Sequence, residues 1–204
     1  MIMNKQEALN ILNEWVNPVR SREGSQRDSD SNGVKSPNLK KHMMAVAAAM
    51  EFYARKFGQD ENRWWIVGLL HDVDYEKYPD YKNGGHPYKA VEFLSDKLDE
   101  ESLNAILGHA TYTNTPRETK MAKTLFAVDE LTGMITAVAL VKPEKKLSAV
   151  DVNSVKKRFK EKKFAAGVNR EEIIQGAQDL GVPLDEHIQN VIDAMINISS
   201  ELGL

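Results

Sequence analysis

The 204-residue sequence contains no cysteine. Disulfides, thiolate chemistry and cysteine-ligated zinc sites are therefore excluded, and any metal ion has to be held by His, Asp or Glu. A strong charge of one sign is also lacking, because 27 Lys and Arg stand against 30 Asp and Glu, which gives a formal net charge of −3. This balance gives no reason to expect a nucleic acid or a membrane surface as a partner.

Membrane spans and leader-like segments are missing from the pattern as well. No run approaches the ~18 apolar residues that a membrane span needs. The N-terminus is amphipathic and carries acidic residues, unlike a signal peptide. We therefore expect a cytoplasmic protein without a membrane partner. The length, with 42% hydrophobic residues, suits a single domain spanning 1–204.

Helical periodicity is present along most of the chain. Neither strand alternation nor an internal repeat is evident. The segment 119–141 is apolar on most faces, which predicts the central buried helix. The fold class is therefore predicted to be all-α. Apolar spacing and capping residues predict helices at 4–16, 37–57, 61–70, 86–98, 99–109, 119–141, 151–164, 169–180 and 183–202.

One segment departs from this pattern. Residues 18–36 are rich in Ser, Asp, Arg and Gly and contain few apolar side chains. This composition predicts a mobile surface loop rather than a linker between domains.

Histidine is scarce, but its positions are informative. An unpaired buried carboxylate is too costly to keep, so Asp72, which follows Leu69, Leu70 and His71, needs a hydrogen bond, an ion pair or a metal. His187, one of the five histidines, lies in the polar stretch LDEHIQN and is expected at the surface. Metal-capable side chains stand at apolar helix positions and loop–helix junctions at His42, His71, Asp72, His86, His109 and Asp129. Such a set of nitrogen and oxygen ligands suits Fe, Mn, Zn, Co or Ni.

The order of these residues resembles the HD superfamily of metal-dependent phosphohydrolases. The family pattern of a His, an adjacent His-Asp and a later Asp matches His42, His71, Asp72 and Asp129. The segments NLKKHMMAVAAAM, GLLHDVDYEKYPD and FAAGVNREEI are similar to a group of small HD hydrolases. The resemblance spans about half of the chain, from 38 to 134. It implies an HD-type helical bundle, with its core metal-binding region at 38–141 and additional C-terminal helices at 151–204.

The resemblance also implies a cofactor of one or two divalent ions, Mg being a further possibility. Asp72 would bridge the two ions, because a carboxylate has two oxygens and the HD family uses it in this way. The histidines that resemble those of the binuclear members would hold the second ion. The implied ligands are His42, His71 and Asp129 for the first ion, and His86 and His109 for the second.

The expected reaction is hydrolysis of a phosphoester or phosphoanhydride by a metal-activated water, with a small, nucleotide-like phosphorylated molecule as substrate. Asp72 and Asp74 are the expected catalytic residues. Asp74 and Tyr75 stand where many HD proteins have Gly and Lys, so Asp74 could instead bind a histidine behind the metal ligands or the substrate, as could Glu76.

The densest basic segment, VKKRFKEKKFAAGVNR at 155–170, is a candidate for phosphate contacts. Its alternative interpretation is a solvated helix face. The predicted substrate-binding residues are Lys157, Arg158, Lys163 and Arg170, with Lys41, Arg117 and Lys120 as weaker candidates.

Two other functions stay open at this point. Some HD proteins are di-iron oxygenases, and the same ligand set would serve them. A non-catalytic module that binds a metal or a nucleotide is the third hypothesis. The substrate, the physiological metal and the oligomeric state are not specified by the sequence.

Overall fold

The computed structural model describes residues 3–16 and 37–204. The predicted loop at 18–36 lies outside the described residues. Within the described ranges the chain forms α-helices and no strands, which confirms the all-α prediction. The helices are α1 (Lys5–Val16), α2 (Pro37–Phe57), α3 (Glu61–Leu70), α4 (Tyr88–Leu94), α5 (Glu100–His109), α6 (Lys120–Val141), α7 (Val152–Phe159), α8 (Arg170–Leu180), α9 (Leu184–Ile196) and α10 (Ser199–Leu202).

Side-chain caps fix the starts of six helices. In each case a side-chain oxygen accepts a backbone N–H of the first turn, which is worth about 1 kcal/mol per helix. The predicted cap at Asp99 is confirmed, since its carboxylate accepts the N–H of Ser102. The six capping residues are Asn4, Asp60, Asp99, Thr119, Asp151 and Asn169.

Three predicted helices are shorter than the sequence pattern indicated. The one predicted at 86–98 is α4, Tyr88–Leu94, and the one at 151–164 is α7, Val152–Phe159. The helix predicted at 183–202 is divided into α9 and α10. Ile198, which lies between them, has φ −118° and ψ 20°, and this backbone conformation interrupts the helix.

Helix α6 is the centre of the fold and packs against α2, α5, α8 and α9. Buried side chains lie on most sides of it, as predicted. The expectation that no segment reaches membrane-span length and hydropathy is wrong for α6, which has an 18-residue window of mean hydropathy 1.6. However, 61% of that window is buried in the protein, as in the core helix of a soluble protein.

Two glycines allow neighbouring helices to pack unusually close together. A Cβ on Gly68 of α3 would lie 2.8 Å from Ala47 Cα of α2. A Cβ on Gly176 of α8 would lie 2.5 Å from Ala127 Cα of α6. Since real Cβ atoms do not approach this closely, only glycine permits these two helix contacts.

His187 is buried, so the prediction of a surface position is wrong. It lies on the inward face of α9 with Val191 and Met195, at helical spacings of four and eight residues. Its Nε2 is 2.9 Å from Ala127 O and its Nδ1 is 2.6 Å from the Tyr53 hydroxyl. A neutral imidazole satisfies both contacts by donating from Nε2 and accepting at Nδ1.

We predict that this imidazole makes the stability of the protein depend on pH. Burial lowers the pKa of His187, so the unfolded chain takes up a proton near pH 6.5 while the folded chain does not. Stability should therefore fall as the pH drops below about 7, by up to about 1.4 kcal/mol per pH unit. Urea unfolding of the wild type and His187→Gln should show a stability difference that is largest at pH 7.5 and shrinks toward pH 5. A difference independent of pH would contradict the assignment.

Candidate metal centre

Six of the predicted ligands meet at one place, although they come from separate helices. His42 lies in α2, His109 is the last residue of α5 and Asp129 lies in α6. His71 and Asp72 directly follow α3, and His86 lies two residues before α4. The packing of α2, α3, α5 and α6 around a common core therefore brings side chains that are far apart in sequence into one cluster.

The first half of the cluster surrounds the Oδ2 atom of Asp72. His42 Nε2 lies 3.7 Å from this oxygen and His71 Nε2 lies 3.5 Å from it. Asp129 closes the group, with its Oδ1 3.0 Å from His42 Nε2 and 3.6 Å from His71 Nε2. Two imidazole nitrogens and two carboxylate oxygens thus face one point, which is a ligand set suited to a divalent ion.

The second half surrounds the other oxygen of the same carboxylate. Asp72 Oδ1 lies 3.4 Å from His86 Nε2 and 3.4 Å from His109 Nε2. Each oxygen of Asp72 therefore serves a different pair of histidines. This is the arrangement that a carboxylate bridging two ions requires.

Contacts behind the ligands orient their rings. His71 Nδ1 lies 2.8 Å from Gly68 O, and His109 Nδ1 bonds to Ile106 O in the same three-residue pattern. These are carbonyls of the last helical turn, which have no partner within the helix. Because each Nδ1–H donates to a carbonyl, the Nε2 lone pair is left to face the centre.

His42 is oriented by a side chain of α6 instead. Its Nδ1 lies 3.4 Å from Thr132 Oγ1, whose hydroxyl donates to Asp129 O at 2.8 Å. The same hydroxyl thus links one ligand histidine to the backbone of a ligand aspartate.

The burial of His71 provides a test of whether these residues fit a metal. Its side chain is 0% exposed, and among the described residues its Nε2 has no hydrogen-bond partner. A buried polar atom without a partner is unfavourable, and a metal bond to Nε2 would remove that penalty. The ligand set therefore fits a divalent ion.

Asp74, predicted to be catalytic or to bind a histidine, does not line the cavity at the centre. Its side chain is fully buried behind His86, with Oδ1 2.7 Å from His86 Nδ1. Its Oδ2 accepts the backbone N–H of Ala90 at 2.8 Å. Asp74 therefore orients the ring of His86, one of the predicted ligands.

Charges within the centre are strongly coupled. Burial disfavours the ionised form of Asp72, but the His71 charge and the hydrogen bond from His109 hold the pKa of this carboxyl well below its usual range. Burial also opposes protonation of His71, yet Asp72 and Asp129 raise its pKa to about 9. In the absence of metal, His71 therefore carries a proton between two carboxylates at neutral pH.

We predict that metal binding releases this proton. A metal ion and a proton compete for Nε2 of His71, whose pKa is about 9 without metal. Mn²⁺ affinity should therefore rise about tenfold per pH unit below pH 9. Calorimetric titration in buffers of different ionisation enthalpy should show close to one proton released per chain at pH 7. His187→Gln, which alters a buried histidine outside the centre, should release the same number; a heat independent of the buffer would contradict the prediction.

A separate prediction tests Asp74. Asp74→Asn keeps the size of the side chain but removes its charge and places an amide where two acceptor oxygens are needed. Loss of such an outer partner typically weakens metal affinity by about 10–100-fold, and we expect this loss at the His86–His109 position. Metal titration followed by elemental analysis should show one ion retained and the other weakened. Asp80→Asn, an exposed position in the same loop, is the matched control, and equal affinities in both variants would contradict the role.

The centre opens into a cavity of about 580 Å³. No Lys or Arg among the described residues lines it. The residues that sequence reasoning missed include Tyr75, Tyr112, Glu130 and Glu172. Besides five ligands, its lining comprises Asn38, Leu39, Tyr75, Glu76, Ala110, Thr111, Tyr112, Glu130, Gly133 and Glu172.

Two of the missed residues, Glu130 and Glu172, place negative charge near the ligands. Glu130 accepts the backbone N–H of Asn169 at 3.1 Å, and Glu172 lies in the first turn of α8. Burial and the charge of Asp129 raise the pKa of Glu130 to about 7, and burial also raises the pKa of Glu172. Glu130 directly follows a ligand in sequence, a signal that could have identified it. Glu172 carries no comparable signal, because only the packing of α8 brings it to the cavity.

The four predicted substrate-binding cations do not line this cavity. Lys157 and Lys163 are exposed, and Arg158 pairs with Glu161 at 2.5 Å. Arg170 donates to Phe164 O and, at 2.9 Å, to Val168 O, so its guanidinium holds the turn before α8. The two arginines do not reach the cavity because their guanidinium groups are bound to other groups of the chain.

The weaker candidates differ in position. Arg117 donates to Gly108 O at 3.1 Å and lies over the ring of Phe126. Lys120 lies over the ring of Phe57. Lys41 lines a neighbouring cavity that shares His42 with the first.

Comparison with known families identifies the region that carries the predicted ligands. Residues 39–134 match the family model described as the HD domain, and all six ligands lie inside that match. This region of the chain is an HD domain of the superfamily of metal-dependent phosphohydrolases. Searches of curated proteins and of solved structures found no match. Helices α7–α10 lie beyond the matched region.

Proposed function

We propose that the protein hydrolyses a phosphoester or phosphoanhydride with a water activated by one or two divalent ions. The observation that carries the proposal is the position of Asp72, each of whose oxygens faces a separate pair of histidines. Membership of a superfamily of metal-dependent hydrolases supports the same reaction class. A cytoplasmic location and a small phosphorylated substrate belong to the same proposal.

The residues have distinct parts in this reaction. His42, His71 and Asp129 would hold one ion, His86 and His109 the other, and Asp72 would bridge them. Bound ions would supply a nucleophilic water at neutral pH, since coordination lowers the pKa of water from ~16 toward ~7, and would polarise the phosphoryl group. Asp74 keeps His86 in the orientation that leaves its Nε2 toward the centre.

The cavity lining favours a substrate with few phosphates. With no Lys or Arg among its described lining residues, the cavity would have to bind phosphate oxygens through the ions and through neutral donors. Glu130 and Glu172 would repel further phosphates when ionised. A nucleotide-like substrate, which the family resemblance suggests, would therefore be a monophosphate or a diester in preference to a triphosphate.

Asp72→Ala provides the direct test. We expect it to lose most bound metal and to lower the hydrolysis of bis(4-nitrophenyl) phosphate or 4-nitrophenyl phosphate by at least about 10³-fold, because the bridging group and the activated water are lost together. Metal content should be measured on protein purified without chelators or a histidine tag. Asp193→Asn, at an exposed position of α9, should behave as the wild type. Hydrolysis that persists in Asp72→Ala would refute the site assignment.

A di-iron oxygenase is the second candidate, favoured by one observation. Four imidazoles and two carboxylates suit iron, and the described residues that line the cavity include no Lys or Arg that would select a phosphate. Anaerobic assays separate the two functions. Turnover that needs oxygen, in protein that retains iron, would favour the oxygenase, whereas hydrolysis without oxygen would exclude it.

A further inference from the structure

Glycines inside helices need an explanation, because glycine is destabilising there relative to alanine. The α-helices of the described chain contain Gly68, Gly108, Gly133 and Gly176. For three of them close packing is the reason. A Cβ would lie 2.8 Å from Ala47 Cα on Gly68, 2.5 Å from Ala127 Cα on Gly176 and 3.2 Å from the Arg117 side chain on Gly108.

Gly133 lacks this explanation. Among the described residues, a Cβ added to it would meet only Val168 Cγ2, at the ordinary contact distance of 3.7 Å. Its backbone is helical, within α6, and does not adopt the positive φ that favours glycine. Neither packing nor backbone conformation therefore requires a glycine at this position.

The location of Gly133 supplies a functional reason. It lies four residues after the ligand Asp129, so it occupies the same face of α6 one turn further along. It lines the 580 Å³ cavity of the metal centre and also a second cavity of about 310 Å³. Asn38 and His42 line both cavities too, so the two cavities meet over these three residues.

The second cavity differs in chemistry from the first. Its walls are mainly aliphatic, and Lys41 is its only cation among the described residues. The residues specific to it are Lys41, Thr136, Ala137, Leu140, Leu202 and Leu204. An apolar surface that continues directly from a metal centre suits the organic part of a substrate whose reacting group lies at the metals.

We infer that Gly133 is a specificity-determining residue, which leaves room for an apolar group of the substrate to pass from the metal centre into the second cavity. The inference rests on the proposed hydrolysis and names its substrate class as a phosphoester with an aryl or alkyl group. A side chain at 133 would obstruct the junction of the two cavities without disturbing the core.

Stability provides the first test. Gly133→Ala should raise the melting temperature by about 2 °C, because alanine is the better helix former and the space is open. Gly176→Ala should lower the melting temperature, because its Cβ would collide with the backbone at Ala127. A lower melting temperature for Gly133→Ala would overturn the inference, since it would show that packing requires this glycine.

Specificity provides the second test. The wild type should have a kcat/KM for phenyl phosphate at least tenfold above that for methyl phosphate. Gly133→Leu should reduce this ratio at least tenfold while the metal content per chain stays the same. Gly167→Leu is the matched control, because Gly167 is exposed, has no atom within 4 Å of its added Cβ and does not line either cavity. An unchanged ratio in Gly133→Leu would show that the second cavity does not hold the apolar group of the substrate and would overturn the inference.

Binding separates a failure of this inference from a failure of the proposed function. If the metal-loaded wild type hydrolyses neither ester, the proposed hydrolysis fails, and calorimetry with phenylphosphonate and methylphosphonate decides the inference by itself. If the wild type binds phenylphosphonate more tightly than methylphosphonate and Gly133→Leu loses this difference, the second cavity holds the apolar group as inferred. Equal binding of the two phosphonates by the wild type would overturn the inference.

Discussion

The ionised carboxylate of Asp72 is the constraint on which the arrangement of the surrounding helices depends. Its side chain is only 12% exposed, and an ion at such depth costs several kcal/mol unless it is compensated. Histidines of four different segments each place Nε2 within 3.7 Å of one of its oxygens, so a proton or a metal ion held by these nitrogens supplies that compensation. The helices must therefore keep their relative positions if this carboxylate is to stay ionised, and the metal centre is the consequence.

Contacts at the ends of helices hold the ligand side chains of this centre in fixed orientations. Gly68 has two roles at once, because its missing Cβ lets α3 approach Ala47 of α2, and its carbonyl accepts the Nδ1–H of His71. Since α2 also carries His42, a single position couples the spacing of two helices to the orientation of the ligands that they bring. A ligand held in this way loses little conformational entropy when a metal binds.

The residues that meet in the cluster could be named from the sequence because Asp72 and Asp129 are chemically conspicuous and because His86 and His109 match the family resemblance. A His-Asp pair directly after two leucines and an Asp within an apolar helix both place a carboxylate where it would be buried. Each carboxylate therefore requires a partner that stabilises its charge. His187 was misjudged because its immediate neighbours are polar, although its spacing to Val191 and Met195 placed it on the buried face. The basic segment misled for another reason: charge density along a sequence does not reveal which cations are already paired, and Arg158 and Arg170 are.

Glu172 lines the cavity although it lies outside the region that matches the family, and packing explains how it stays aligned with the metal centre. Glu172 lies four residues before Gly176 and therefore on the same face of α8. The contact of Gly176 with Ala127 holds that face against α6, two residues before the ligand Asp129. A shift of α8 would thus move Glu172 relative to the metal centre. The close approach of Gly176 to Ala127 therefore determines where α8 places the carboxylate of Glu172 in the cavity.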